Sequence, residues 1–449
     1  MLIKITKDFV EQIQEYIQLE NKDHLINQLN DFHYADIAEL LRELEIEEVI
    51  YLFKILSKEK TSNALTELED FKRERILKEL TSVEIAENID NLDTDDAVNI
   101  VRELPTEQRE EVISNIEDEK HAEEIIELLN YDEKTAGGLM AKELVKVNEN
   151  WNVLTCVKQM RLQAESVKRV HSIYVINDQE KLLGRLSLKD LLTQSTKTSI
   201  KDVYIRNVDY VSTSESGEEV AKIMRKYNLE AIPVVDELGK LVGRITIDDI
   251  VDLIAEYAEK DYQMAAGLVE DVEANDSIWD LTRARLPWLF LGLLGGVGAA
   301  RIMGLFEGAL AENAVLFMFT PLIAAMAGNV GVQSSAIIVQ GLANNNLKGG
   351  TRNRLLKEFT LALLNGAILA TVLFVLTLVW KKDISTALAI SLSLFSVIIV
   401  AGIVGTFIPL FLNKRGIDPA IATGPFITTS NDIFGILIYF WIAKMILGF

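Results

Sequence analysis

The sequence predicts a multidomain membrane protein, in which an N-terminal α-helical solenoid, a tandem α/β pair and a connecting helix precede a five-helix α transmembrane domain. Three observations predict this fold class: a split in charge, two internal repeats and a series of apolar stretches. Residues 1–282 hold 33 basic and 61 acidic groups, a formal charge of −28, whereas residues 283–449 hold 12 and 6, a charge of +6. A chain of 449 residues is also too long for one hydrophobic core.

We expect five segments along the chain. The N-terminal solenoid should cover residues 1–130, and the two α/β modules residues 131–200 and 201–255. A connecting segment, 256–282, should lead into the membrane domain at 283–449. The N-terminus shows no apolar stretch of signal-peptide length, so we expect the N-terminal half to stay in the cytosol.

The first segment has apolar residues at three- and four-residue spacing, which is typical of short amphipathic helices. It also repeats itself after sixty residues: Asp36 matches Asp96, and Arg42 matches Arg102. Such repetition indicates stacked helical pairs, which form a solenoid of either hand.

The second segment contains a clearer repeat with a period of 59. The run KLLGRLSLKD at 181–190 aligns with KLVGRITIDD at 240–249, and β-branched residues precede both copies. Each copy reads as strand, turn, strand and helix. The sequence therefore predicts two copies of one α/β unit.

The last segment contains five stretches with almost no charge. They are 286–300, 313–347, 359–380, 384–413 and 419–443, the last interrupted only by Asp432. A bilayer core needs about 20 apolar residues per helix, so the first span must extend past Arg301. Basic residues flank the spans on the side of the N-terminal half, which predicts a cytoplasmic N-terminus and a C-terminus outside.

Asp432 is the only carboxylate within these stretches, and such a charge costs about 2.5–3.5 kcal/mol at mid-bilayer. A cation offsets this cost, and a homodimer would supply two copies of the carboxylate. The run GPFITTSND at 424–432 adds oxygen-bearing side chains, which suit hydrated Mg²⁺. Asn329, in the run GNVGVQSS, is a second candidate for the pore. The alternative is helix packing by a protonated Asp and small polar residues.

Acidic residues also crowd two places in the N-terminal half. Asp93, Asp95 and Asp96 lie together in the second solenoid repeat, and a second group lies on the helix before the membrane: Asp248, Asp249, Asp252, Glu256, Glu259 and Asp261. Mg²⁺ or Ca²⁺ would relieve their repulsion. For any one member the alternative is a solvated helix face.

Several other functions are disfavoured. The single cysteine, Cys156, excludes an intramolecular disulfide, and the four histidines are scattered along the chain. No phosphate-binding glycine loop is present, so we expect no ATP-driven motor. The five apolar spans disfavour a soluble enzyme, so we expect no enzyme. The acidic surface makes nucleic acid an unfavourable partner.

The chain resembles the MgtE family of magnesium channels and transporters over nearly its full length. The resemblance rests on the run YDEKTAGGLM at 131–140, on the repeated α/β unit, which is similar to tandem CBS modules, and on GPFITTSND at 424–432. The motif RLPW at 285–288 supports it. The combination of the three is specific, whereas a CBS pair alone occurs in many proteins.

The resemblance implies a homodimer whose pore is lined by the second and fifth membrane helices, with Asp432 as the selectivity carboxylate and Asn329 nearby. It implies that the connecting helix, about 248–265, acts as a plug and that cytosolic Mg²⁺ closes the pore. The CBS pair would bind ATP, with four candidate contacts: Tyr174, Lys189, Asp190 and Asp249.

Two departures from the family pattern concern the pore and the plug. The second span reads AMAGN at 325–329, and Lys260 separates Glu259 from Asp261 in the plug. Two alternative functions stay open at this stage. One is a transporter for Co²⁺ or Mn²⁺, and the other is a nucleotide-sensing CBS membrane receptor.

Overall fold

The computed structural model describes residues 4–164, 167–270, 272, 274, 276–308, 313–343, 350–422 and 424–448. The chain divides into two units, Met1–Ala255 and Glu256–Phe449, each with its own core. We call them the cytosolic unit and the membrane unit, after the prediction. Residues 344–347 of the second predicted span lie outside the described residues.

The cytosolic unit begins with ten short helices. Thr81 and Glu84 form a capping box, and buried Asn88 accepts hydrogen bonds from Thr61 and Ser62 at 2.8 and 3.2 Å. The helices are α1 Lys7–Gln18, α2 Lys22–Leu29, α3 Tyr34–Glu43, α4 Ile46–Ile55, α5 Lys58–Thr66, α6 Asp70–Glu79, α7 Ser82–Ile89, α8 Thr94–Glu103, α9 Thr106–Ser114 and α10 Glu119–Leu128. Helices α3 and α8 occupy equivalent positions in the sixty-residue repeat, as predicted.

Two three-stranded sheets follow, and they have the same topology. In each, the first strand pairs in parallel with the second, which pairs antiparallel with the third. The first module contains α11 Ala136–Leu139, β1 Val145–Asn148, α12 Val153–Gln163, β2 Ile173–Ile176, β3 Leu182–Leu186 and α13 Leu188–Thr193. The second contains β4 Val211–Ser212, α14 Gly217–Tyr227, β5 Ala231–Val235 and β6 Leu241–Thr246. The repeated unit is thus present twice.

The connecting helix, α15, spans Ile247–Ala266 and is continuous through the predicted boundary at 255/256. It ends before Gly267, whose φ of +89° is a conformation that residues with a side chain rarely adopt. The next helix begins at Ile278. Segment 256–282 is therefore not one helix, and the first membrane helix starts before the predicted residue 283.

Five helices among the described residues are long and apolar enough to cross a membrane. They are α16 Ile278–Leu305, α17 Ala314–Ala343, α18 Thr351–Lys381, α19 Ile384–Lys414 and α20 Pro425–Leu447. Helix α19 is the central member, since it packs against α17, α18 and α20. The Tyr439 hydroxyl donates a hydrogen bond to the carbonyl of Leu316 at 2.8 Å, which ties α20 to the start of α17. The predicted fold class is confirmed.

Candidate cation pathway and cytosolic acidic cluster

The first turn of α20 carries the oxygen-rich run found in the sequence. Gly424 precedes the helix with a φ of +61°, and Pro425 occupies its first position. The Thr428 hydroxyl donates to the carbonyl of Gly424 at 3.0 Å. Asp432 follows Thr428 by one turn, so both side chains lie on one face of the helix.

That face of α20 packs against α17 at Gly328. A Cβ atom at Gly328 would lie 3.5 Å from Oδ1 of Asp432 and 3.0 Å from Cγ2 of Thr428. A side chain at Gly328 would crowd the Thr428 methyl group, whereas Asp432 lies at an ordinary van der Waals distance from the same point. Asn329, the next residue, is exposed in the single chain, and Asp432 is half-buried. The structure thus brings the two predicted pore residues to neighbouring positions on two helices.

A second close approach lies one turn further along α17, at Gly331, and involves Asn431, the residue before Asp432 on α20. Asn431 is 1 % exposed, and neither its amide nitrogen nor its amide oxygen has a hydrogen-bond partner among the described residues. A Cβ at Gly331 would lie 1.7 Å from Nδ2 of Asn431, so only glycine leaves room for this amide. On its other side Gly331 meets α19, since a Cβ at Gly405 would lie 2.4 Å from the Gly331 carbonyl oxygen.

The structure adds a carboxylate that the sequence reasoning missed. Helix α18 begins at Thr351, so Glu358 lies inside a membrane helix although it precedes the charge-free stretch at 359–380. The hydroxyl of Ser334, on α17, donates to Oε1 of Glu358 at 2.6 Å. A Cβ at Gly402, on α19, would lie 3.0 Å from the same oxygen. Asp432 is therefore not the only carboxylate of the membrane helices.

Within the membrane unit, the end of the connecting helix contacts the start of α20. A Cβ at Gly424 would lie 2.4 Å from the Ala265 carbonyl oxygen, and one at Gly267 would lie 2.7 Å from Cγ of Pro425. The predicted plug residues Glu256, Glu259 and Asp261 are all exposed, as is Lys260. The helix that carries them thus ends beside the oxygen-rich run.

In the cytosolic unit, carboxylates from separate elements converge. Burial raises the pKa of Asp95 well above its usual range, and the negative charges of Asp249, Asp96 and Glu143 raise it further. Burial and the charge of Asp249 raise the pKa of Asp96 to about 7. Burial likewise raises the pKa of Glu143, with Asp93 as the next cause. We call Asp93, Asp95, Asp96, Glu143 and Asp249 the acidic cluster.

The sequence-predicted residues divide between this cluster and the solvent. The cluster includes Asp93, Asp96 and Asp249, whereas Asp248 and Asp252 are exposed on α15. Asp95, which the sequence groups with Asp93 and Asp96, also belongs to the cluster. Glu143 was missed entirely. A signal for Glu143 was absent because it lies 47 residues from Asp96 in the sequence.

Two basic residues border the acidic cluster. The ammonium of Lys168 lies 3.3 Å from Oδ1 of Asp93, and the guanidinium of Arg244 lies 3.9 Å from Oδ2. Nη1 of Arg244 is buried without a hydrogen-bond partner among the described residues. These cations offset part of the negative charge at Asp93.

The predicted nucleotide contacts do not gather at one cavity. Tyr174 is 1 % exposed in the core of the first sheet, and Lys189 is exposed at the start of α13, close to Asp190. The backbone N–H and hydroxyl of Thr246 donate to Asp249. A cavity of about 430 Å³ lies between the modules and is lined by other residues: Arg169, His171, Glu230, Ile247, Asp248, Val251 and Asp252.

Three comparisons place these features among known proteins. A family model described as a divalent cation transporter matches residues 320–442, and one described as the MgtE intracellular N domain matches 32–134. CBS domain models match 136–196 and 200–256. The chain is 34 % identical over 317 residues to the magnesium transporter MgtE of Bacillus subtilis, covering 70 % of each chain. The chain belongs to the MgtE family.

Other MgtE proteins agree with this assignment. The magnesium transporter MgtE of Enterococcus faecalis is 35 % identical over 74 % of this chain and 73 % of its own length. The magnesium transporter MgtE of Thermus thermophilus is 33 % identical over 72 % of each chain. The matches cover most of both partners, so the resemblance extends well beyond the CBS modules.

Solved structures match the cytosolic part of the chain. The cytosolic domain of the Mg²⁺ channel MgtE in complex with ATP is 30 % identical, with a TM-score of 0.51 over 54 % of this chain and 99 % of that one. The soluble part of a magnesium transporter is 26 % identical, with a TM-score of 0.51 over 56 % and 98 %. The cytosolic unit thus has the fold of MgtE cytosolic domains.

Proposed function

We propose that this chain conducts Mg²⁺ across the membrane and that Asp432 is the carboxylate that binds the ion in the pathway. One observation carries the proposal: Asp432 lies inside a membrane helix and packs against α17 beside Gly328. A hydrated Mg²⁺ ion keeps several waters and is bound through one or two carboxylates. The naming of similar proteins as magnesium transporters supports Mg²⁺ as the ion.

The active form in this proposal is a homodimer in the plasma membrane, with the C-terminal end outside. Two exposed features of the single chain support a second copy: Asn329 is exposed on α17, and Asp432 is only half-buried. A two-fold axis beside them would face two carboxylates toward one divalent ion. The proposed domains are the solenoid at 1–130 and the two CBS modules at 131–200 and 201–255, followed by the connecting helix that ends at Ala266 and the membrane domain whose first helix begins at Ile278.

Cytosolic Mg²⁺ closes the pathway in this proposal. The acidic cluster supports a closing site, because burial and mutual repulsion disfavour its charged form without a cation. The exposed acids of α15 would add ligands: Asp248, Asp252, Glu256, Glu259 and Asp261. An ion that binds the closed form more tightly lowers the open fraction. ATP at the CBS pair is a further proposed ligand, supported by the ATP complex of a related cytosolic domain.

The test is Mg²⁺ flux into liposomes that hold the full-length protein. We expect Asp432→Asn to reduce the flux at least about tenfold, because an amide leaves the ion without its charged ligand. Glu307→Gln is the matched control, since Glu307 is an exposed carboxylate just after α16. Undiminished flux in Asp432→Asn would refute the role of Asp432.

The same liposomes test gating and ion choice. Wild-type flux should fall as Mg²⁺ rises on the side of the cytosolic unit, and flux that is independent of this concentration would contradict closure by Mg²⁺. Co²⁺ and Mn²⁺ should compete poorly. No conductance for any cation at low Mg²⁺ would favour the nucleotide-sensing receptor instead.

A further inference from the structure

Helix α10 and the segment before β1 bring three metal-binding side chains together. One ligand atom from each of His121, Glu124 and Glu143 lies within 4.8 Å of the others. His121 and Glu124 are one turn apart on α10, and Glu143 lies between α11 and β1. The group shares Glu143 with the acidic cluster, but its imidazole gives it a different chemistry from that all-oxygen cluster.

The imidazole of His121 is already oriented. Its Nε2 lies 3.3 Å from the carbonyl oxygen of Ile89, the last residue of α7. A neutral imidazole that donates from Nε2 keeps its lone pair on Nδ1. Metal-binding histidines in proteins usually donate their other ring N–H in this way, often to a backbone carbonyl.

The Glu143 carboxylate is held in place as well. The backbone N–H of Thr94 donates to Oε1 at 3.1 Å, and the Thr94 hydroxyl donates to Oε2 at 3.0 Å. Each carboxylate oxygen can accept more than one hydrogen bond or ligand, so a lone pair on each is left for an ion. Among the salt bridges of the described residues, none involves Glu143.

Glu124 has a partner that an ion would have to displace. The ammonium of Lys120 lies 2.9 Å from Oε1 of Glu124, and the Lys120 side chain is 79 % exposed. Exposed ion pairs of this kind contribute little to stability, so Lys120 can move into solvent. The two carboxylates then carry a charge of −2, which equals the charge of one divalent cation.

We propose that His121, Glu124 and Glu143 form a binding site for a transition-metal dication of the Zn²⁺ type. Zinc takes histidine nitrogen and carboxylate oxygen at about 2.0–2.2 Å, which places tetrahedral ligand atoms about 3.3 Å apart. To bind the ion, the three ligand atoms, which lie within 4.8 Å of one another, would have to close to this spacing. A fourth position stays open to water. Mg²⁺ prefers all-oxygen octahedral sites, so the imidazole selects against it.

The bound ion would join the solenoid to the first CBS module. It would connect α10 with Glu143, whose carboxylate holds the first turn of α8 and whose carbonyl accepts from Arg244 on β6. A second class of metal would thus stabilise the same unit that contains the acidic cluster. This inference does not depend on Mg²⁺ transport, because it concerns binding to the cytosolic unit.

The test is a calorimetric titration in which Zn²⁺ is added to the full-length protein in detergent. The buffer contains Mg²⁺ in excess, so that sites that prefer Mg²⁺ are already filled. We expect one Zn²⁺ per chain at this site. His121→Gln, which keeps a donor for Ile89, and Glu124→Gln should each weaken binding by about tenfold or more, since even outer-shell changes cost 10–100-fold. Glu123→Gln is the matched control, because Glu123 is the exposed neighbour with the same charge.

Lys120→Gln separates metal binding from a purely structural cluster. Removing the competing ammonium should tighten Zn²⁺ binding about two- to fivefold. Equal Zn²⁺ affinity in wild type, His121→Gln and Glu124→Gln would overturn the proposal. So would displacement of Zn²⁺ by an equal concentration of Mg²⁺. If His121→Gln fails to fold, the comparison of Glu124→Gln with Glu123→Gln decides the question.

Discussion

The cytosolic unit and the membrane unit place their carboxylates in opposite ways. In the cytosolic unit, carboxylates from α8, α15 and the segment before β1 crowd together. Burial and, after it, their mutual repulsion raise the pKa values of Asp95 and Asp96. In the membrane unit, Asp432 and Glu358 each lie apart, beside a glycine of a neighbouring helix. The charge of crowded carboxylates responds to the concentration of protons and cations, whereas the position of isolated carboxylates depends on the packing of the helices around them.

If close helix packing controls the stability of the membrane unit, a single methyl group added between two helices should have the largest effect on that stability. In Gly405→Ala the new Cβ would lie 2.4 Å from the Gly331 carbonyl oxygen, and the other near atoms also belong to the Gly331 backbone, which has no side chain to rotate away. We expect a loss of about 3 kcal/mol or more in stability, above the usual range for overpacking. Thermal unfolding in detergent measures it.

Gly292→Ala is the matched control for this change. A Cβ at Gly292, on α16, would have no neighbour within 4 Å. We expect this variant to unfold like the wild type. Similar unfolding temperatures for Gly405→Ala and wild type would show that α17 and α19 can move apart without loss of stability. The idea that close packing controls the stability of the membrane unit would then be wrong.

The hydrogen bond between Ser334 and Glu358 tests whether the second membrane carboxylate has a specific partner. Hydrogen bonds to charged groups contribute about 1.5–3 kcal/mol, so Ser334→Ala and Glu358→Gln should each destabilise the protein by an amount of this order. The double variant should cost less than the sum. Unfolding of the four proteins measures the coupling, and strict additivity would exclude a direct interaction.

The acidic cluster should make stability depend on pH, with a smaller effect. The pKa of Asp96 is about 7 in the folded chain and near its ordinary value when unfolded, so the folded state binds the proton more tightly. Stability is therefore greatest at low pH and falls as the pH rises through about 7. With a chelator present to remove divalent cations, the unfolding temperature of the cytosolic unit should drop by a few degrees between about pH 5.5 and pH 8.

Mg²⁺ should restore the temperature lost at the higher pH, because it replaces the proton as the neutralising charge. Asp96→Asn should flatten the pH dependence, whereas Asp36→Asn, at the equivalent position of the first repeat, should keep it. A wild-type protein that gains stability from about pH 5.5 to pH 8 would contradict the predicted direction of the pH dependence.

The sequence predicted the fold class because both repeats and the charge split are local patterns. Asp432 stood out for the same reason, as one charge within an apolar stretch. Glu358 did not, since it lies one residue outside a charge-free stretch and only the α17 and α19 packing shows that it is enclosed. Glu143 and His121 could not be joined from sequence, because their proximity depends on how α10 folds back toward the segment before β1.

The contact between the connecting helix and α20 has a mechanical consequence. The carbonyl of Ala265 and the ring of Pro425 leave no space for even one carbon atom at Gly424 or Gly267. A displacement of the end of α15 toward α20 therefore cannot be absorbed at this joint and must move the first turn of α20. Thr428 and Asp432 follow on the next two turns, so the joint would transmit motion to the carboxylate with little loss.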